Sequence, residues 1–438
     1  MKNYNIDELI KLILQNINKK NFEEALNIIN NSPIIKKDTT LYNKLLSNFY
    51  FKKGDWKRSI DYFEKRLLSE KIKYGILNNI GVSYFNLGKI KKSIKLFKDS
   101  INENNNYDLS YENLGISYKE IGLYKDALNA FLNAVKINNS NLSAKENLLS
   151  IFNVDRTEND NSHPTIKCNY KISNLKNSIV IDKIISNLDI KKFLYETDNI
   201  INSYNQNFEC KETQIFRKNT TNLNCKRHFE IFNEFKIIPK YCFSCYKVQI
   251  ELVNVIDLIR LYFLFDNIIL EKNNIRKCII ETRDNVKTNY KGYIYCSGLK
   301  ESENIFNIVK KYLSKIGIID HNTIIKHGCS EFAEEYTDYK KINFKGPQEM
   351  NYDESWRKKE KVIDDRIPKR SKNDEKKFNE TLKGINLYDI FIIKNWLSYA
   401  KIIGDNSYKF IYEKKLNNSF LNNLLKNKIN FRNKELRF

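Results

Sequence analysis

Asn79-Ile80-Gly81-Val82-Ser83-Tyr84 and Asn113-Leu114-Gly115-Ile116-Ser117-Tyr118 are one phrase written twice, 34 residues apart. The step extends well beyond them. Gly54, Gly88 and Gly122 keep it, as do Tyr50, Tyr84 and Tyr118, and Phe63, Phe97 and Phe131. The small residues Ala25, Ser59, Ser93 and Ala127 follow the same spacing. An unbroken period of this length predicts a helical solenoid, in which small residues let paired helices approach and aromatics fill the groove between hairpins. Units begin near Ile6, Thr40, Tyr74 and Asp108, and residues 142–152 predict a capping helix.

These residues resemble the tetratricopeptide repeat family. Residues 79–84 and 113–118 match its first helix, and Ala127-Leu128-Asn129-Ala130-Phe131 matches its second. The resemblance implies a concave surface that binds a peptide or partner protein, with Lys44, Asn48, Asn79 and Asn113 on it. In one subgroup that surface clamps a C-terminal carboxylate. Lys44, Asn48 and Asn79 fall at matching places, but Leu109 and Asn113 stand where the clamp's remaining basic pair belongs.

The chain of 438 residues is too long for one ordinary core and predicts domains at 1–152 and 176–345, a linker at 153–175, and a charged segment with a helical tail at 346–438. A formal charge of +22 raises the question of a nucleic-acid partner. Lysine, however, is spread along the chain with abundant asparagine and isoleucine, which reads as a compositional drift. The charge-dense stretch 357–377 is expected to be exposed. No apolar run suits a signal peptide or a membrane span, so the expectation is a cytoplasmic protein with no membrane partner. There, cysteines serve as free thiols or metal ligands.

The second domain alternates. Strand patterns at 246–252, 278–283, 291–296 and 323–327 enclose helical patterns at 255–265 and 301–316, giving the order β-α-β-β-α-β. The expected fold is therefore an α-solenoid followed by an α+β domain with a split-βαβ, ferredoxin-like segment, its strands ordered 4-1-3-2. Cys242, Cys245, Cys278, Cys296 and Cys329 would all lie at one end of that sheet. Thiolates hold zinc or an iron-sulfur cluster, and Cys242-Phe-Ser-Cys245 offers two sulfurs from one turn. Cys225, His228 and His327 stand in reserve.

Alternation also leaves one sheet face polar: Lys247, Gln249, Glu251, Glu281, Arg283, Lys291, Tyr293 and Tyr295. Lys291-Gly292-Tyr293-Ile294-Tyr295 resembles the start of the RNA-recognition-motif strand, which implies an RNA-binding adaptor as an alternative. Ile294 departs from that pattern. A thiol- or metal-dependent enzyme is a further alternative, although no phosphate loop or nucleophilic triad stands out.

Overall fold

Small side chains at the repeat positions govern how closely the N-terminal helices approach. The computed structural model describes residues 5–155, 163–177, 181–205, 208, 210–283, 286, 288–414, 416 and 421–422. Helices α1 (Ile6–Asn18), α2 (Phe22–Asn31), α3 (Pro33–Lys37), α4 (Thr39–Lys53), α5 (Trp56–Ser69), α6 (Tyr74–Asn86), α7 (Ile90–Glu103), α8 (Asp108–Glu120), α9 (Tyr124–Ile137) and α10 (Leu142–Ile151) follow one another. Hairpins pair α4 with α5, α6 with α7 and α8 with α9. Ser59, Ser93 and Ala127 are fully buried where helices meet. Ser59 Oγ lies 3.4 Å from Ser83 Oγ, and Ser93 Oγ lies 3.4 Å from Ser117 Oγ. A Cβ added at Gly81 or Gly115 would come within 2.6 Å of the rings of Phe97 or Phe131. Gly54, Gly88 and Gly122 take φ of +81°, +74° and +80° at the hairpin turns, a conformation that costs glycine no Cβ clash.

Residues 1–148 together with 368–377 form one compact unit, and residues 149–367 with 378–438 form a second. The stretch 357–377 is largely exposed, as expected, but its later part, 368–377, is also tied to the first unit. Arg370 Nη1 donates to Glu120 Oε1 at 2.8 Å, and Lys377 N to Glu120 O at 2.9 Å. Asp374 Oδ1 accepts from Lys91 N at 2.7 Å. Opposite charges on the solenoid hold a stretch that composition alone marks as solvated.

The second unit contains α11 (Pro164–Ser173), α12 (Asn187–Ser203), β1 (Gln214–Arg217), α13 (Cys225–Phe235), β2 (Tyr246–Leu252), α14 (Val255–Asn267), β3 (Arg276–Ile280), β4 (Tyr290–Cys296), α15 (Leu299–Lys315), β5 (His321–His327), α16 (Ser330–Glu335), α17 (Thr337–Lys340), α18 (Arg357–Arg366) and α19 (Leu387–Ile403). The strands stand in the order β1-β3-β4-β2-β5, and each neighbouring pair is antiparallel. β1 is a strand the periodicity missed, because four residues are too few for an alternation to emerge.

Two further corrections concern helices. α11 lies inside the expected linker, yet it buries Ile166, Cys168 and Ile172. α19 is no tail: Ile390, Trp396, Leu397, Tyr399 and Ala400 are buried around its circumference, as befits a helix apolar on nearly every side. Its Asp389 accepts from Arg217 at 2.7 Å and from Tyr262 at 2.8 Å, while Arg217 also pairs with Asp266 at 2.6 Å. This buried network ties β1, α14 and α19 together. The rest of the expected tail lies largely outside the described residues. No described helix is long and apolar enough to cross a membrane.

Candidate functional site

Four cysteines gather where separate elements end. After Pro239 the chain makes a 3-10 turn, Lys240–Ser244, closed by Cys245 N on Cys242 O at 3.2 Å, and then enters β2. Across the sheet, β5 leads into Gly328, whose N–H donates to Cys245 O at 2.8 Å. A Cβ at Gly328 would meet Cys245 Sγ at 2.5 Å, so glycine lets this segment lie against the turn and deliver Cys329. The thiols of Cys242 and Cys329 are hydrogen-bonded. Tyr339 OH anchors the turn from the other side by donating to Cys242 O at 2.8 Å. Cys225, the first residue of α13, lies close enough to oppose ionisation of Cys242 and Cys245.

The expected ligand set therefore divides. Cys242, Cys245 and Cys329 come together, and Cys225 joins them from reserve. Cys278 does not: it sits in the middle of β3 rather than at its start, opposite Gly292, on the face where Leu261 and Phe265 of α14 pack. Cys296 ends β4 opposite Tyr246, with its Sγ turned 3.7 Å from Ile294 O. Among the described residues, no three His, Cys, Asp or Glu side chains are arranged as they stand to hold a metal ion. Burial pushes the Cys245 thiol up to about 12. The hydrogen bond from Cys242 draws the Cys329 thiol below its ordinary value, while that bond and burial raise Cys242.

The polar sheet face is not open, which corrects the second expectation. Lys247 and Tyr293 are each 7% exposed, and Gln249, Glu281 and Lys291 each 3%. Glu251 and Tyr295 are half-buried, and only Arg283 is exposed. Lysine stems account for part of this cover, since long side chains lie along apolar surface while the ammonium seeks a polar partner. Lys247 Nζ lies 5.0 Å and Lys277 Nζ 5.4 Å from the Tyr293 ring centre. Glu281 binds Lys291 at 3.1 Å and Arg283 at 2.8 Å. Burial disfavours its charge, but these two cations outweigh that and hold the carboxyl at about 2. Burial, aided by the neighbouring charge of Lys326, lowers the Lys247 ammonium to about 7. A base cannot stack on Tyr293 in this arrangement. Beside the thiols, a cavity of about 140 Å³ is lined by Asn219, Tyr241, Asn274, Tyr295, Cys296 and Glu301.

On the solenoid, Lys44 is exposed, and Asn48, Asn79 and Asn113 are half-buried. Asn113 Nδ2 donates to Asn78 Oδ1 at 2.9 Å, so this asparagine serves packing between hairpins as well as the surface.

The tetratricopeptide repeat model matches residues 74–107, which with the helical hairpins identifies the N-terminal part as a tetratricopeptide-repeat segment. No curated protein matches the chain. Among solved structures it is similar to the first such domain of Spaghetti (RPAP3) bound to the HSP90 peptide SRMEEVD, at 21% identity over 26% of this chain and 90% of that one, with a TM-score of 0.25. The Arabidopsis OM64 domain is 15% identical over 26% of this chain and 93% of its own, with a TM-score of 0.25. MamA of Desulfovibrio magneticus RS-1 is 15% identical over 33% and 81%, with a TM-score of 0.29.

Proposed function

We propose that this chain is a two-part adaptor, whose solenoid binds a polypeptide partner and whose second unit holds zinc or an iron-sulfur cluster. The solenoid reading rests on the repeat architecture and on the polar groups that Lys44, Asn48 and Asn79 leave accessible. Repeats of this kind present side chains from successive first helices to an extended ligand. A displayed peptide library selected on the full chain tests it. The enriched peptides should lose about tenfold in affinity, about 1.4 kcal/mol, in the Lys44→Glu, Asn79→Ala variant. Unchanged binding would remove the groove from the account. Amidating the peptide C-terminus separates carboxylate clamping from side-chain recognition.

The metal reading rests on one observation: a turn, a strand end and a helix start bring Cys242, Cys245, Cys329 and Cys225 to one place. A cytoplasmic, reducing setting would keep these thiols unpaired and able to bind. The order β5-β2-β4-β3, with α14 and α15 as connections, supports a split-βαβ core in which the sheet end carries the site. Zinc there would tie the sheet end to its flanking segments, whereas a cluster would bring electron-transfer or other enzymatic chemistry. Elemental analysis and a visible spectrum of protein purified without oxygen decide between them, and protein free of both metals would end this half of the proposal.

A further inference from the structure

The two edges of the sheet differ. β1 is four residues long, and the main chain on either side of it is taken up by other elements: Trp396 Nε1 donates to Thr213 O at 2.9 Å, and Thr381 N to Lys218 O at 2.8 Å. β5 is seven residues long, pairs with β2 along its whole length and, among the described residues, has no strand on its other side. Gly328 N donates to Cys245 O in the same register, so the even-numbered residues of β5 direct their main-chain groups to β2. The N–H and C=O groups of His321, Thr323, Ile325 and His327 therefore point outward, and no described residue bonds to them. Such a row is a template for another strand unless charge, proline or a bulge blunts it. This edge carries Lys326 but neither proline nor bulge, and Ile324 is 36% exposed on it.

We infer that β5 pairs antiparallel with β5 of a second copy of this chain, about a two-fold axis at Ile324, joining the two sheets edge to edge. The stretch His321-Asn322-Thr323-Ile324-Ile325-Lys326-His327 suits its own reversal. His321 meets His327 and Thr323 meets Ile325, and these outward-directed residues exchange main-chain bonds in both directions. Ile324 meets Ile324 at a non-hydrogen-bonded pair, where Cα atoms come within about 4.5 Å and the side chains touch. Lys326 meets Asn322 of the second copy. Asn322 Nδ2 donates to Glu251 Oε2 at 2.9 Å, so the ammonium gains a carboxylate across the axis. That charge match selects a second copy over an unrelated extended peptide. It also selects this centre over one at Lys326, which would oppose two lysines. A contact of this self-complementary kind closes at two subunits.

Sedimentation velocity of the full-length chain across a micromolar concentration range tests this, and the wild type should show a reversible monomer–dimer equilibrium. Thr323→Pro removes an N–H that β2 does not use, a change an edge strand tolerates. Ile324→Lys sets like charges across the axis. Each should weaken dimerisation at least about tenfold while circular dichroism of the monomer stays as in the wild type. Cross-linking reads the register independently of stability. With oxidised glutathione as oxidant, Ile324→Cys should form a disulfide between copies and Asn322→Cys, which faces Lys326, should not. Both carry Cys225→Ser, because Cys225 is exposed. A wild type that stays monomeric overturns the inference. So does a dimer that both folded variants retain, or one in which Ile324→Cys fails to cross-link.

Discussion

Gly81 shows how one missing methyl sets the spacing of two helices. A Cβ there would lie 2.6 Å from Phe97 Cε1, whereas at Gly75, in the same helix, it would meet nothing within 4 Å. Alanine gains up to about 1 kcal/mol over glycine in a helix, while overpacking costs about 1–3 kcal/mol. Gly81→Ala and Gly115→Ala should therefore lower solenoid stability, and Gly75→Ala should raise it slightly, as measured by urea denaturation followed by helical circular dichroism. Equal effects at Gly75 and Gly81 would deny the ring contact its role. His228 carries a second residue-scale prediction. Burial, aided by Arg227, lowers its pKa to about 4, so the folded chain binds fewer protons than the unfolded one between that value and the ordinary 6.5. Its contribution is full above pH 6.5 and is lost as pH falls toward 4. Thermal melts of the second unit should drop across that window, and His228→Gln should flatten the drop.

At the scale of elements, what holds a helix end is sometimes remote in sequence. α7 begins after Lys89, which supplies no side-chain cap, and its Lys91 N–H is instead met by Asp374. Asp374→Ala should cost about 0.5–2 kcal/mol, the usual worth of a cap, with the loss appearing in the solenoid transition. A deletion of 368–377 that leaves that transition unmoved would show that the segment adds nothing. The buried Arg217 network has larger stakes. Replacing Asp389 by Asn leaves an under-compensated guanidinium between β1, α14 and α19, and breaking such a pair costs about 3–5 kcal/mol. Chemical denaturation of Asp389→Asn checks this, and a cost below about 1 kcal/mol would mean that Asp266 alone suffices.

Across the whole molecule, legibility followed contact range. The solenoid was readable because each contact falls within one or two periods: Gly81 meets Phe97, Ser59 meets Ser83, and the next repeat restates both. Spacing alone therefore carried helix pairing and turn positions. The strands of the second unit were visible as alternation, but alternation reports only which residues share a face. It could not say that the polar face is buried, because that depends on which side chains of neighbouring strands pack against one another, as Lys247 and Lys277 do on Tyr293. Nor could it place Arg217 in a strand, since β1 is four residues long and pairs with β3, about sixty positions away. Charge density at 368–377 rightly marked an exposed stretch but could not show its attachment, because Glu120, its partner, lies far upstream.

The cysteines draw the boundary most plainly. Cys242-Phe-Ser-Cys245 announced a local pair, because two residues between thiols put both on one turn. Nothing in the spacing could choose Cys225 and Cys329 over Cys278 and Cys296, since that choice depends on strand ends, on the turn after β5 and on the room that Gly328 leaves beside Cys245. By itself, then, the sequence determined the repeat solenoid and the composition of each sheet face, because both arise from short-range periodicity. Only the tertiary structure decided which thiols approach one another and which charged segment binds the solenoid, because those are matters of chain closure over tens to hundreds of residues.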